Sequence, residues 1–239
     1  MPITRRRALR IAGGLVLLPA VPRGAHAAQL EFLPISITTG LGQSANTIQV
    51  VNRRGGASTL QVRAFAWLQP ANGADDLIHS DAIAVSPPMF SLPEGETQII
   101  RVVLHTPPGP TELAFRVLVD ELPPPNATNV QLALRVSLPV FAAPASGVAD
   151  LRWRAARAAG GLGVIAHNIG ALHTRVGKIT LAVPARAPVE GKLENRLPYV
   201  LAGAERHWSA ALPVTPGTQM RLTAEIDGKT VAQTLSVEA

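Results

Sequence analysis

The stretch Asn129-Val130-Gln131-Leu132-Ala133-Leu134-Arg135-Val136-Ser137-Leu138-Pro139-Val140-Phe141 decides how this chain is read. Its even positions, Val130, Leu132, Leu134, Val136, Leu138 and Val140, are all aliphatic, while Gln131, Ala133, Arg135, Ser137 and Pro139 lie between them. Alternation of period two puts one kind of residue on each face of a β-strand. The run exceeds the usual strand of about five or six residues. Taken alone, it fits first an ordinary strand resting on the protein's own core, with a face kept for another chain as the alternative.

Working outward, the same rhythm recurs. Thr47–Asn52, Leu60–Leu68, Gln98–His105 and Leu113–Leu122 read as strands before the stretch. Between them stand the turn formers Asn52-Arg53-Arg54-Gly55-Gly56, Asn72-Gly73, Pro93-Glu94-Gly95 and Pro107-Pro108-Gly109-Pro110. About seven strands in about 115 residues suggest an immunoglobulin-like sandwich. The rhythm breaks at Ala142-Ala143-Pro144-Ala145-Ser146-Gly147 and resumes with Leu151–Ala156, Leu162–Asn168, Arg175–Val183, Trp208–Leu212, Gln219–Ile226 and Thr230–Val237. Asp227-Gly228 between the last two is a hairpin turn signal. No stretch carries a helical stripe. The expectation is an all-β chain with a first domain over 28–143, a linker over 144–147 and a second, smaller sandwich over 148–239.

Residues 1–27 read as an export signal. Arg5, Arg6, Arg7 and Arg10 precede the apolar run Ile11–Val21, and Ala25-His26-Ala27 fits a small-x-small cleavage pattern. A membrane anchor would need about 20 apolar residues, and Pro19 and Pro22 interrupt this run. Cleavage after Ala27 predicts a periplasmic chain with no membrane insertion. It also changes the charge argument. The full sequence has 22 Lys+Arg against 16 Asp+Glu, a net charge of +6. Five of those bases and none of the acids lie in the leader, which leaves 17 against 16, or +1. With no basic stripe interleaved with aromatics, nucleic-acid binding is not expected.

Chemistry is sparsely signalled. There is no cysteine, so disulfides, thiolate nucleophiles and cysteine-ligated zinc are excluded. Neither a Gly-x-Ser-x-Gly elbow nor a His-Glu-x-x-His helix occurs. Asp227-Gly228-Lys229-Thr230 has the tail of a phosphate loop, but position 223 is Thr where such a loop needs Gly. His167 and His173 bracket a turn with no third metal ligand suggested. Asp120 and Glu121, adjacent in a strand, face opposite sides. No enzyme activity, metal or cofactor is expected.

The blocks Leu60-Gln61-Val62-Arg63-Ala64-Phe65-Ala66-Trp67, Val85-Ser86-Pro87-Pro88-Met89-Phe90, Leu92-Pro93-Glu94-Gly95-Glu96-Thr97-Gln98 with Arg101, and Phe115-Arg116-Val117-Leu118-Val119-Asp120-Glu121-Leu122-Pro123, followed by the opening stretch, carry a resemblance. In this order they resemble the periplasmic chaperones of chaperone–usher pili, in particular the archaic branch that serves spore-coat-U-like subunits. Asn168-Ile169-Gly170-Ala171-Leu172-His173-Thr174-Arg175-Val176 resembles a block of that family's second domain.

The resemblance implies two immunoglobulin-like domains set at an angle, as a boomerang. It implies that the last strand of the first domain is lent to a pilus subunit lacking its own final strand, and that the subunit is passed to an outer-membrane usher. Val130, Leu132 and Leu134 then match the family's knobs, and Val136 extends them. The family's usual anchor for the subunit's C-terminal carboxylate is a base on the first strand and a lysine near the end of the last. Here the first strand, Phe32-Leu33-Pro34-Ile35-Ser36-Ile37, has no base and the lysine position falls at or near Pro139. A buried carboxylate still needs charged donors. Arg116 is the first candidate, Arg135 the second because it shares the odd face with Pro139, and Arg101 the third. The rival expectation is an exported structural sandwich, an adhesin or pilin. A pilin would lack a complete last strand and carry an N-terminal donor extension, whereas the final strand is legible here and little extension stands between Ala27 and the first strand.

Overall fold

The computed structural model describes residues 29–40, 42–71, 73–123, 134–158, 160–194 and 197–239. The expected leader and the knob positions Val130 and Leu132 lie outside them. All regular structure among the described residues is strand. The first ten strands are β1 (Leu30–Leu33), β2 (Ile37–Thr39), β3 (Ala45–Asn52), β4 (Ser58–Leu68), β5 (Asp76–Ile78), β6 (Ile83–Ser86), β7 (Met89–Leu92), β8 (Thr97–Leu104), β9 (Leu113–Leu122) and β10 (Arg135–Ala142).

They form two facing sheets. One has the order β1-β3-β8-β6; the other runs β2-β10-β9-β4-β5, with β7 also on β4. Alternation explains the core between them. Ile48, Val50, Ile100 and Val102 from one sheet meet Leu60, Val62, Phe115, Val117, Leu138 and Val140 from the other, all buried. The chain changes sheets between β1, antiparallel to β3, and β2, which runs parallel to the end of β10.

The second half contains β11 (Leu151–Ala158), β12 (Gly161–Asn168), β13 (Thr174–Ala182), β14 (Val189–Leu193), β15 (Tyr199–Val200), β16 (Glu205–Ala210), β17 (Gln219–Ile226) and β18 (Lys229–Glu238). The two layers of this sandwich are not separate sheets. The hydrogen-bonded path β14-β16-β12-β11-β18-β17-β13 returns to β14, which pairs with both β16 and β13. Leu162, Val164, Ala166, Val176, Ile179, Leu181, Trp208 and Leu222 fill it. Asp227 (φ 48°) and Gly228 (φ 77°) make the two-residue turn joining β17 to β18. The Asp227 carboxylate also accepts hydrogen bonds from Thr174 Oγ1 at 2.6 Å and the Arg175 amide at 2.9 Å. Its place is structural, as a hairpin rather than a phosphate loop.

Candidate functional site

The sheet holding β4, β9 and β10 has a second face, turned away from the first core. The registers set side chains in rows across it: Gln61, Asp120 and Arg135; Arg63, Leu118 and Ser137; Phe65, Arg116 and Pro139; Trp67, Ala114 and Phe141. The last row meets the second domain. Trp67 and Phe141 cluster with Leu201 and Ala204, with Tyr199 packed against them. Phe141 stacks on His173 with centroids 3.6 Å apart and planes 8° from parallel. His173 Nδ1 is 2.6 Å from Glu112 Oε2, which also accepts the His173 amide at 2.8 Å. His173 thus joins the two domains.

Arg116 lies one row away from this junction. It is 2% exposed, with its guanidinium carbon 3.7 Å from the Trp67 ring centroid and 5.5 Å from that of Tyr199. Cations favour such aromatic faces, but the faces accept no strong hydrogen bond. Arg116 Nε and Nη2 are buried without a hydrogen-bond partner. Burial pushes the Arg116 pKa down to about 10; Tyr199 and Asp75 work against that shift, and Arg206 adds to it. The side chain stays charged at neutral pH. A buried cation with unused donors is costly, and an entering carboxylate would satisfy it with two parallel bonds.

Arg206 presents the opposite case. It is 0% exposed and every guanidinium nitrogen has a partner. Nε donates to Tyr199 O at 2.8 Å, Nη1 to the carbonyls of Gly73 and Ala74, and Nη2 to Asp75 Oδ1. The same Asp75 oxygen accepts from Trp67 Nε1 at 2.7 Å and Gln69 Nε2 at 3.1 Å. Gln69 also reaches across, accepting from the Leu201 amide at 2.9 Å and donating to Tyr199 O at 3.1 Å.

The outer end of the face is a charge latch. Asp120, 8% exposed, takes Arg63 Nη2 at 2.6 Å and Arg135 Nε. Burial alone would raise the Asp120 pKa, but the hydrogen bonds and charges of Arg135 and Arg63 outweigh it and hold the carboxyl below its ordinary value.

The edge of β10 completes the geometry. β2 pairs with it only from Val140 to Ala142, so no described strand covers Arg135–Pro139 on that side. The Glu121 amide donates to Leu134 O, and the Ala143 amide to Thr39 O. Even residues of β10 therefore turn their peptide groups to β9 and odd residues to the outer edge. Arg135 and Ser137 point N–H groups outward, and Pro139 lacks its N–H where β9 does not need one.

The predicted residues fall as follows. Leu134 and Val136 are half-buried and pack on the first core. Arg116 and Arg135 share the outer face, and Arg116 stands directly across from Pro139. Arg101 is exposed on β8, in the other sheet, opposite Thr47 and Ser86. It is not on the face that carries Arg116 and Arg135. Sequence reasoning passed over Asp75, Gln69, Tyr199 and Arg206. One signal was available: Arg206 shares inward parity on β16 with buried Trp208 and Ala210. No group of three or more His, Cys, Asp or Glu able to hold a metal occurs among the described residues.

Residues 34–147 match the family described as pili and flagellar-assembly chaperone, PapD N-terminal domain. Among solved structures, the fold matches a chain of the CsuC–CsuE chaperone–tip adhesion subunit pre-assembly complex from archaic chaperone–usher Csu pili of Acinetobacter baumannii. That match has a TM-score of 0.64 at 19% identity, covering 89% of this chain and 100% of that one. It also matches a chain of the Salmonella enterica SafA pilin–SafB chaperone complex, with a TM-score of 0.57 at 16% identity over 89% and 97%. The periplasmic chaperone SfaE gives 0.53 at 16% identity over 88% and 100%. These likenesses extend the two-domain chaperone fold over nearly all the described chain. A search of the curated proteins by sequence finds no significant match.

Proposed function

Because residues 34–147 match the family model described as pili and flagellar-assembly chaperone, we propose that this chain is a non-enzymatic periplasmic chaperone of the archaic chaperone–usher type. It caps an incomplete immunoglobulin-like subunit, of the spore-coat-U-like kind, by donor-strand complementation and hands it to an outer-membrane usher. The carrying observation is Arg116, a buried guanidinium with two unpartnered nitrogens across from Pro139. Where the family has a lysine on the last strand, this chain places its base on the neighbouring strand β9.

Two further features support the reading. The open edge of β10 offers outward N–H groups at Arg135 and Ser137 for a subunit strand, and an uncovered edge left to itself is an aggregation hazard. The donor knobs are Val130, Leu132, Leu134 and Val136; Leu134 and Val136, half-buried on their own core, offer a subunit only their uncovered part. The subunit's terminal carboxylate binds Arg116. Because Nε and Nη2 are enclosed, it must displace a neighbouring side chain to reach them.

Co-expression with a pilus subunit encoded in the same genome, followed by recovery from the periplasm, tests this. The full chain should yield a stoichiometric complex, and Arg116→Ala should lose most of it while remaining folded. Undiminished complex with Arg116→Ala would overturn the anchor assignment, and failure of every such subunit to bind the parent chain would overturn the function.

A further inference from the structure

Arg116 and Arg206 are both buried, and Asp75 is the acid whose charge acts on the first and bonds the second. Asp75 Oδ1 gathers three donors from two domains: Trp67 Nε1 and Gln69 Nε2 from β4 and the residue after it, and Arg206 Nη2 from β16. The bond to Trp67 fixes how the indole turns about its side-chain torsions, and the Arg116 guanidinium lies on that indole. We propose that Asp75 is a positioning residue for the Arg116 anchor: it aims the Trp67 platform and, through Arg206, ties that platform to the second domain. The proposal rests on the reading of Arg116 as the carboxylate anchor.

The physical argument is one of orientation. An aromatic face holds a cation in place but leaves it free to slide, because the attraction is broad. The edges of the guanidinium, where Nε and Nη2 donate, point according to how the platform is turned, and a carboxylate needs both donors aligned. Charge adds a second constraint. Without Asp75 the two arginines would repel each other across a poorly solvated gap. All three donors use the same oxygen, so an amide can retain the hydrogen bonds while losing the charge.

Two variants separate these contributions. Asp75→Ala removes the acceptor and the charge; Asp75→Asn keeps the acceptor. Each is made in the full chain, with Arg116→Ala alongside, and three quantities are read: complex recovered with the co-expressed pilus subunit, thermal melting, and the Arg116 Nε–Hε resonance. That resonance is identified by its loss in Arg116→Lys and displaced by the Trp67 ring current. Asp75→Ala should shift it toward the position of a free arginine and reduce subunit affinity by about tenfold or more, the scale of a weakened charged contact. Asp75→Asn should keep the displacement and lose less binding. If both Asp75 variants keep the resonance and the binding while Arg116→Ala loses binding, Asp75 is no positioning residue and the anchor stands. If Arg116→Ala binds normally, the anchor reading itself fails. Should Asp75→Ala not fold, folded Asp75→Asn decides: a kept displacement with a measurable loss of subunit affinity supports the proposal, and subunit affinity unchanged from the parent chain overturns it.

Discussion

Arg116 and Arg206 lie near each other at the domain junction, both buried, and they are treated differently. Arg206 spends all its donors on Tyr199, Gly73, Ala74 and Asp75; Arg116 keeps two of its nitrogens unpartnered over an aromatic face. The first arrangement holds the molecule together. The second is an unmet demand for an anion. The sheet edges repeat the contrast: the strands of the second domain return on themselves through β14, while β10 is left uncovered from Arg135 to Pro139 among the described residues. In the first domain, Arg116 and the β10 edge both carry hydrogen-bonding groups left unmet.

The largest effect should come from Arg206→Ala. Breaking a buried ion pair by removing one partner typically costs about 3–5 kcal/mol, so calorimetric melting should fall steeply; an unchanged melting temperature would break the contrast. Arg116→Met should do the reverse. A base whose folded pKa, about 10, lies below its ordinary value costs the folded state stability wherever it is charged, and an apolar residue of similar length removes that cost. The free chaperone should melt at the same or a higher temperature, by up to about 1–4 kcal/mol on the precedent of apolar replacements, yet lose its subunit. A drop comparable to that of Arg206→Ala would mean that Arg116 is structural too.

Smaller effects sharpen the picture at the outer end of the face. Asp120 is an acid held below its ordinary value of 3.8, so it contributes stability above that pH. This contribution is lost as the pH falls through the lower folded value. Acid unfolding followed by circular dichroism should show that sensitivity, and Asp120→Asn should abolish it. Arg135→Ala, whose side chain is 63% exposed, should change stability by no more than about 1 kcal/mol and leave most subunit binding intact. Loss of binding as severe as in Arg116→Ala would move the anchor to Arg135.

Much of this architecture could be read from the sequence because alternation reports burial directly. β8, β17 and the first half of β4 carry it clearly, and Asp227-Gly228 names its own turn. The short β5, β7 and β15 have too few residues for a period to show. β14 carries Gly191, which a pattern reading takes as a break; here the glycine lies against the Ile179 side chain, where an added Cβ would come within 2.5 Å. Arg116 drew attention because the family's usual bases were missing. Asp75 and Arg206 did not, since 131 residues separate them and only the meeting of the two domains brings them together. Pro139, which falls at or near the family's lysine position, suits a strand whose odd peptide groups face an open edge.

The central claim is that β10 lends its outer edge to a subunit. Amide hydrogen exchange, residue by residue, in the free chaperone and in its complex with a co-expressed pilus subunit tests it most directly. In the free protein Val136 and Leu138, bonded to β9, should exchange slowly, and Arg135 and Ser137 quickly. On binding, Arg135 and Ser137 should become protected while Val136 and Leu138 change little. Fast exchange at Arg135 and Ser137 in the saturated complex would contradict the account.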